Sequence, residues 1–231
     1  MQFIRSLIYY FGSYGLLIPH SILCVISGIF LPLKTRYKYF LLWNAFNIWW
    51  LSITCGIKLQ VTGRENIPEE SFILLSNHQS TWETIYFYWV FRPICATLKK
   101  ELLGIPFFGW ALRLLDPIAI DRNKKGRALQ QVLDQGKDKL ESNISVLIFP
   151  EGTRVAPGVE KKFSAGGVQL AITSGRKILP VAHNAGICSP AHKIIKHSGT
   201  IKVVIGTPID PAGRNPKEVI REIETWIRQA T

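Results

Sequence analysis

Phe72-Ile73-Leu74-Leu75-Ser76-Asn77-His78-Gln79-Ser80-Thr81-Trp82-Glu83 is the stretch on which the reading of this chain turns. An apolar run of strand length gives way to an Asn-His pair and then to Ser80-Thr81-Trp82-Glu83. That quartet is a capping box, with Ser80 as cap and Glu83 reaching back to a backbone N–H. A strand delivered straight into a helix is the unit from which parallel sheets are assembled. A second run, Val146-Leu147-Ile148-Phe149, is followed in the same way by Pro150-Glu151-Gly152-Thr153-Arg154.

Working outward, short apolar runs alternate with amphipathic stretches from Gly56 onward. Strands are expected at 58–62, 72–76, 94–98, 117–120, 145–149, 178–182 and 201–205. Helices are expected at 81–91, 106–115, 124–141, 165–174 and 216–229. Leu129, Val132, Leu133, Gly136 and Leu140 recur at helical spacing in the third of these. The last opens with Asn215-Pro216, a cap followed by proline in the first turn, with Glu218 three positions after the cap. The expected fold is α/β, a mixed and largely parallel sheet flanked by helices. No repeat or low-complexity linker interrupts it.

The N-terminal part has another character. No Asp, Glu, Lys or Arg occurs from Ser6 to Leu33, nor from Tyr39 to Ile57. Each run is long enough to cross a bilayer, for which about 20 apolar residues suffice. The first run is too long for a signal peptide and lacks a clear small-residue cleavage site, so cleavage is not expected. Basic residues flank every end: Arg5, the connector Lys34-Thr35-Arg36-Tyr37-Lys38, then Lys58 and Arg64. Charge asymmetry therefore assigns no orientation. Two membrane readings survive, a pair of spanning helices or a pair dipping into one leaflet. The second is preferred, because Gly12, Gly15, Pro19 and His20 would weaken a spanning helix. Tyr9, Tyr10, Phe11, Tyr14, Trp43, Trp49 and Trp50 suit an interface. A buried hairpin in a soluble protein is the plain alternative. The chain thus divides into a two-helix membrane segment, 1–57, and an α/β domain, 58–231.

Composition narrows the partners. A 47% hydrophobic chain of 231 residues with 7 Trp and 12 Phe carries a full core and is not disordered. The 4 cysteines, Cys24, Cys55, Cys95 and Cys188, lie far apart, with neither metal-ligand nor disulfide spacing. A net charge of +12 suits nucleic acid, an anionic membrane or an anionic substrate. The basic residues are scattered rather than clustered, so nucleic acid is not expected.

His78 and Glu83 form a base with an orienting acid. Histidine suits general-base work near neutral pH, a contribution of about 10²–10⁴-fold. A carboxylate on the far ring nitrogen would fix its tautomer. A spacing of five does not align on a regular helix. It works with His78 in the strand-to-helix turn and Glu83 on the first helical turn. At the second run, Gly152 takes backbone angles that other residues resist, and Arg154 offers a planar fork matched to a phosphate. Taken alone, His78 would be a structural histidine before a capped helix and Arg154 a solvated turn arginine.

Together the two runs resemble the motifs of the glycerophospholipid acyltransferases, in particular the 1-acylglycerol-3-phosphate (lysophosphatidic acid) acyltransferase family. Lys99-Lys100-Glu101-Leu102-Leu103-Gly104-Ile105-Pro106-Phe107-Phe108-Gly109-Trp110, then Ile118-Ala119-Ile120-Asp121-Arg122, is similar to the family's second block, and Ile178-Leu179-Pro180-Val181-Ala182 to its fourth. The resemblance covers most of 72–182, and the blocks stand in the family's order. The family's usual acid is Asp where this chain has Glu83, one methylene longer.

The resemblance implies a membrane-bound acyltransferase acting on the sn-2 hydroxyl of 1-acyl-sn-glycerol 3-phosphate to give phosphatidic acid. The alternative is a different lysophospholipid or amino-lipid acceptor. His78 and Glu83 would be catalytic. Arg154, Thr153, Gly152, Glu151, Lys99, Lys100 and Arg122 would form the phosphate site, and Lys161-Lys162 would help to hold an acidic donor. The acyl donor would be acyl-CoA or acyl-carrier protein, with no metal or other cofactor. The remaining partners would be lysophosphatidic acid and the bilayer. The implied location is the inner (cytoplasmic) membrane, with the catalytic domain facing the cytoplasm.

Overall fold

The computed structural model describes residues 1–120 and 125–230, with backbone only for 125–128. Three helices come first: α1 (Gln2–Gly28), α2 (Leu33–Phe40) and α3 (Leu42–Cys55). Strands and helices then alternate: β1 (Ile57–Thr62), β2 (Ile73–Ser76), α4 (Trp82–Val90), β3 (Ile94–Lys99), α5 (Phe108–Arg113), β4 (Ile118–Ile120), α6 (Lys125–Glu141) and β5 (Ser145–Ile148). The chain closes with α7 (Gly166–Ser174), β6 (Ile178–His183), α8 (Ala185–Cys188), β7 (Gly199–Ile205) and α9 (Pro216–Ala230).

Among the described residues the strands form one seven-stranded sheet in the order β1-β7-β6-β2-β5-β3-β4. β2 pairs in parallel with β5 and with β6, and β3 pairs in parallel with β5 and β4. β7 runs antiparallel to β6 and carries β1 parallel to itself, so the sheet is mixed and largely parallel. The central strands β2, β5 and β6 are buried along their whole length, as expected of strands covered on both faces. Strand β1 at the edge is mostly exposed.

The flanking helices follow their sequence patterns. On α6, Val132 and Leu140 are buried, and a Cβ on Gly136 would stand 2.7 Å from Leu170 on α7. Glycine there lets the two helices approach closely. On α9, Val219, Ile220, Ile223 and Ile227 are buried while the charged residues face outward. All four cysteines are buried free thiols.

The N-terminal segment differs from expectation in two ways. Three helices stand where two were expected, because the basic connector is itself α2 and the second apolar run supplies only the 14 residues of α3. Helix α1 also runs unbroken through Gly12, Gly15 and Pro19. Gly12 is a close-packing point rather than a break, since a Cβ there would lie 2.4 Å from Trp50 Nε1 on α3. Among the described residues α1 alone is long and apolar enough to cross a membrane.

Packing of α1 is inverted relative to a soluble helix. Its buried positions are Ser6, Tyr9, Ser13, Ser21, Cys24 and Gly28. Its outward positions include Phe3, Leu7, Phe11, Ile18, Leu23 and Ile26. The inner seam is polar: Tyr9 donates to Asn47 Oδ1 (2.5 Å), Asn47 Nδ2 donates to Ser13 Oγ (2.5 Å), and Trp43 Nε1 donates to Ser13 O (3.0 Å). Asn44 ties α3 to α4 through Ile85 O (2.9 Å).

Candidate active site

The parallel strands β2, β5 and β6 end side by side, with Leu75 opposite Ile148 and Ser76 opposite Val181. The loops leaving these ends form the site, the usual place for ligands in such sheets.

After β2 the chain turns at Asn77 and His78 and enters α4 at Trp82. Nδ1 of His78 lies 2.8 Å from Oε1 of Glu83 on the first helical turn. Oε1 also accepts the N–H groups of Gln79 (2.9 Å) and Ser80 (2.7 Å). The return arm of the capping box and the histidine contact therefore share one oxygen. Oε2 is buried and has no hydrogen-bond partner among the described residues. Ser80 Oγ accepts the N–H of Trp82 (3.1 Å), which completes the cap.

Glu83 is fully buried. Burial alone would raise its carboxyl pKa. Nearby His183, the hydrogen bond and charge of His78, and the Ser80 N–H outweigh it and hold the carboxyl below the ordinary glutamate value. An acceptor of this kind makes His78 Nδ1 the protonated nitrogen and leaves Nε2 as the basic one. The ring stacks on Phe149, with centroids 3.9 Å apart and planes at 10°, which fixes its orientation.

The loop after β5 is zipped to the first. The His78 N–H donates to Glu151 Oε2 (2.6 Å), and Val155 N donates to His78 O (2.7 Å). Gly152, at φ +70°, closes the turn by donating to Phe149 O (2.9 Å). Arg154 Nε donates to Ser80 O (3.1 Å), so the guanidinium hangs from the catalytic turn. Its other nitrogens make no hydrogen bond among the described residues.

The expected site residues thus fall into three groups. His78, Glu83 and Arg154 meet at the ends of β2 and β5. Gly152 shapes the turn, and exposed Thr153 sits beside it. Glu151, expected in the phosphate set, is instead buried with its Oε2 on the His78 N–H. Burial pushes its carboxyl up to about 7, against the opposing effect of that hydrogen bond. Lys99 ends β3 and exposed Lys100 follows it. Since β3 neighbours β5, their backbone stands about 10 Å, two strand spacings, from that of β2 at the same edge of the sheet. Arg122 lies outside the described residues.

Sequence reasoning missed two members. Asn77 links the ends of β2 and β6: its Nδ2 donates to His183 O (2.8 Å) and its Oδ1 accepts His183 N (3.1 Å). The buried His183 ring in turn donates from Nε2 to Asn77 O (2.8 Å) and accepts Ala185 N at Nδ1 (3.2 Å). Burial lowers its pKa, opposed by Glu83. Its signal was a histidine closing an otherwise apolar strand. A cavity of about 350 Å³ adjoins this lock, lined among others by Asn77, Gln79, Glu151, Lys161, Asn184 and Arg228.

An acyltransferase family model matches residues 58–184. The chain is 42% identical to the 1-acyl-sn-glycerol-3-phosphate acyltransferase of Pseudomonas aeruginosa, over 99% of this chain and 91% of that one. It is 30% identical to the Escherichia coli protein of the same name, over 74% of this chain and 70% of that one. The crystal structure of the Thermotoga maritima 1-acyl-sn-glycerophosphate acyltransferase superposes with a TM-score of 0.81 at 24% identity, covering 98% and 92% of the two chains, and so shares the fold.

Proposed function

Because the chain belongs to the acyltransferase family and is an O-acyltransferase, we propose that it transfers a fatty acyl group from a thioester to the sn-2 hydroxyl of 1-acyl-sn-glycerol 3-phosphate, giving phosphatidic acid. The observation that carries the reading is the 2.8 Å pairing of His78 with Glu83 beside an arginine suspended from the same turn. Two relatives named for this reaction support it.

In the proposed reaction His78 Nε2 takes the proton of the sn-2 hydroxyl as its oxygen attacks the thioester carbonyl. The new C–O bond forms, the C–S bond breaks, and the imidazolium returns the proton to the departing thiolate. Glu83 stabilises the imidazolium and holds the ring. No enzyme nucleophile is needed, because the acceptor hydroxyl attacks directly. Arg154 grips the phosphate through its two free nitrogens, with Lys99 or Lys100 adding positive charge from the neighbouring strand end. The donor is acyl-CoA or acyl-carrier protein, and the cavity flanked by Lys161 and Arg228 suits the polar arm of either.

The reaction takes place at a membrane in this reading. Helix α1 turns most of its large apolar side chains outward and keeps Ser6, Ser13 and Ser21 inside, an arrangement costly in water and favourable in lipid. Exposed Trp49 on α3 and Trp110 on α5 extend the same kind of surface. The membrane is the inner one, with the catalytic domain on the cytoplasmic side.

The test offers the purified full-length chain a panel of lysolipids with both donor types. Lysophosphatidic acid is expected to be the preferred acceptor. If it were ignored while another lysolipid or an amino-lipid reacted, the acceptor assignment would fail and the acyl-transfer chemistry would stand.

A further inference from the structure

Residues 189–198, between α8 and β7, form an irregular segment strung between the catalytic turn and α1. At one end Ser80 Oγ donates to Ser189 Oγ (3.0 Å). At the other, Lys196 N donates to Ser6 Oγ on α1 (2.8 Å), and Tyr10 contributes its hydroxyl to Lys193 O (3.5 Å). Ser80 is also the residue whose carbonyl holds Arg154. One turn therefore positions both Arg154 and this segment.

Lys196 is the unusual residue here. It is only 9% exposed, which is rare for a lysine without a partner. Its Nζ lies 5.6 Å from the Tyr10 ring centroid and has neither a hydrogen bond nor a carboxylate partner among the described residues. Burial lowers its pKa. Cys55 and Glu83 oppose that effect, while the Arg154 guanidinium adds to it. The ammonium thus lies within electrostatic reach of the Arg154 cation, and the one carboxylate that it feels, Glu83, is already engaged by His78 and the backbone of its turn. A buried ammonium held only by a ring face, with no hydrogen-bonded counter-ion among the described residues, is costly, and a dianionic ligand relieves both the desolvation and the repulsion.

We propose that Lys196 is a second phosphate-binding cation, closing on the phosphomonoester of the acceptor from the α1 side while Arg154 holds it from the catalytic turn. This deepens the acceptor reading above and rests on it. It also gives α1 a part in the site: Tyr10 and Ser6 hold the lysine, so phosphate recognition depends on a helix otherwise turned toward lipid.

The test compares the detergent-solubilised full chain with Lys196→Met, which keeps an apolar stem of similar length and removes the charge. Two measurements are made, the shift of Tm on adding glycerol 3-phosphate, and KM and kcat with lysophosphatidic acid. The wild type is expected to be stabilised by glycerol 3-phosphate and the variant to lose most of that shift. KM should rise about 10–100-fold, as for loss of one charge-assisted hydrogen bond, with a much smaller change in kcat. Without ligand, the variant's Tm should hold or rise. A fall of more than about 4 °C, beyond what a lost cation–π contact explains, would make Lys196 structural and overturn the proposal. An equal shift in both proteins, no shift in the wild type, or an unchanged KM would overturn it too. If the wild type failed to acylate lysophosphatidic acid yet showed a Lys196-dependent shift, the acceptor reading would fall and the anion site would stand.

Discussion

Oε1 of Glu83 sits 2.8 Å from Nδ1 of His78 while accepting two backbone N–H groups of the same turn. The ring nitrogen is thus fixed to the strand-to-helix junction by the carboxylate that caps the helix. The longer side chain of glutamate is accommodated because the carboxyl folds back over the turn instead of reaching along the helix. Replacing the carboxylate by an amide should keep the shape and remove the charge that stabilises the imidazolium. Glu83→Gln is expected to lower kcat about 10²–10⁴-fold with a folded protein by circular dichroism. A kcat within threefold of wild type would remove Glu83 from the mechanism.

Asn77 tests a different element, the lock between the ends of β2 and β6. Asn77→Ala leaves the buried N–H and C=O of His183 without these partners, at about 1–3 kcal/mol each. Thermal denaturation should show a Tm lower by several degrees, at about 2–4 °C per kcal/mol for a chain of this size. An unchanged Tm would mean that the lock is dispensable.

Glu151 gives the pH prediction. Its folded pKa is raised to about 7 from an ordinary 4.5, chiefly by burial. A raised carboxyl pKa means that the folded state binds the proton more tightly. Its contribution to stability is therefore complete below the unfolded value and is lost as pH rises through 7. Relative to Glu151→Gln, the wild type should lose Tm steadily between about pH 4.5 and 7. Parallel curves for the two proteins would contradict the assignment. Because Oε2 accepts the His78 N–H, Glu151→Ala, which removes that acceptor, should lower kcat as well.

Membrane attachment is predicted to be integral. The chain reconstituted with vesicles should stay with them through high salt and a carbonate wash at high pH. Phe11→Glu, at an 85% exposed position of α1, should weaken retention without unfolding the sheet. Release of the wild type by carbonate would rule out insertion.

The strands were legible because buried parallel strands are continuous apolar runs closed by turn residues, as in β2, β5 and β6. The largely parallel direction was legible too, from strands alternating with helices, but not the one antiparallel pairing. Nothing in Ile201-Lys202-Val203-Val204-Ile205 says that β7 opposes β6, since that depends on where the preceding segment crosses the sheet. Helix α8 went unread because four residues, Ala185–Cys188, are too short for a period to show. The pairing of His78 with Glu83 was readable from spacing once both were placed about a strand-to-helix turn. His183 offered only the signal of a histidine closing an apolar strand, and Lys196 offered none, because each gains its meaning from partners more than 100 residues away, such as Asn77 for one and Ser6 for the other.

The most direct measurement of the central claim is the acyl-transfer rate of His78→Ala with lysophosphatidic acid and an acyl thioester, alongside its thermal stability. The account predicts a kcat reduced at least about 10²-fold, with the folded state and glycerol 3-phosphate binding retained. Turnover close to that of the wild type would show that the hydroxyl is activated by another group.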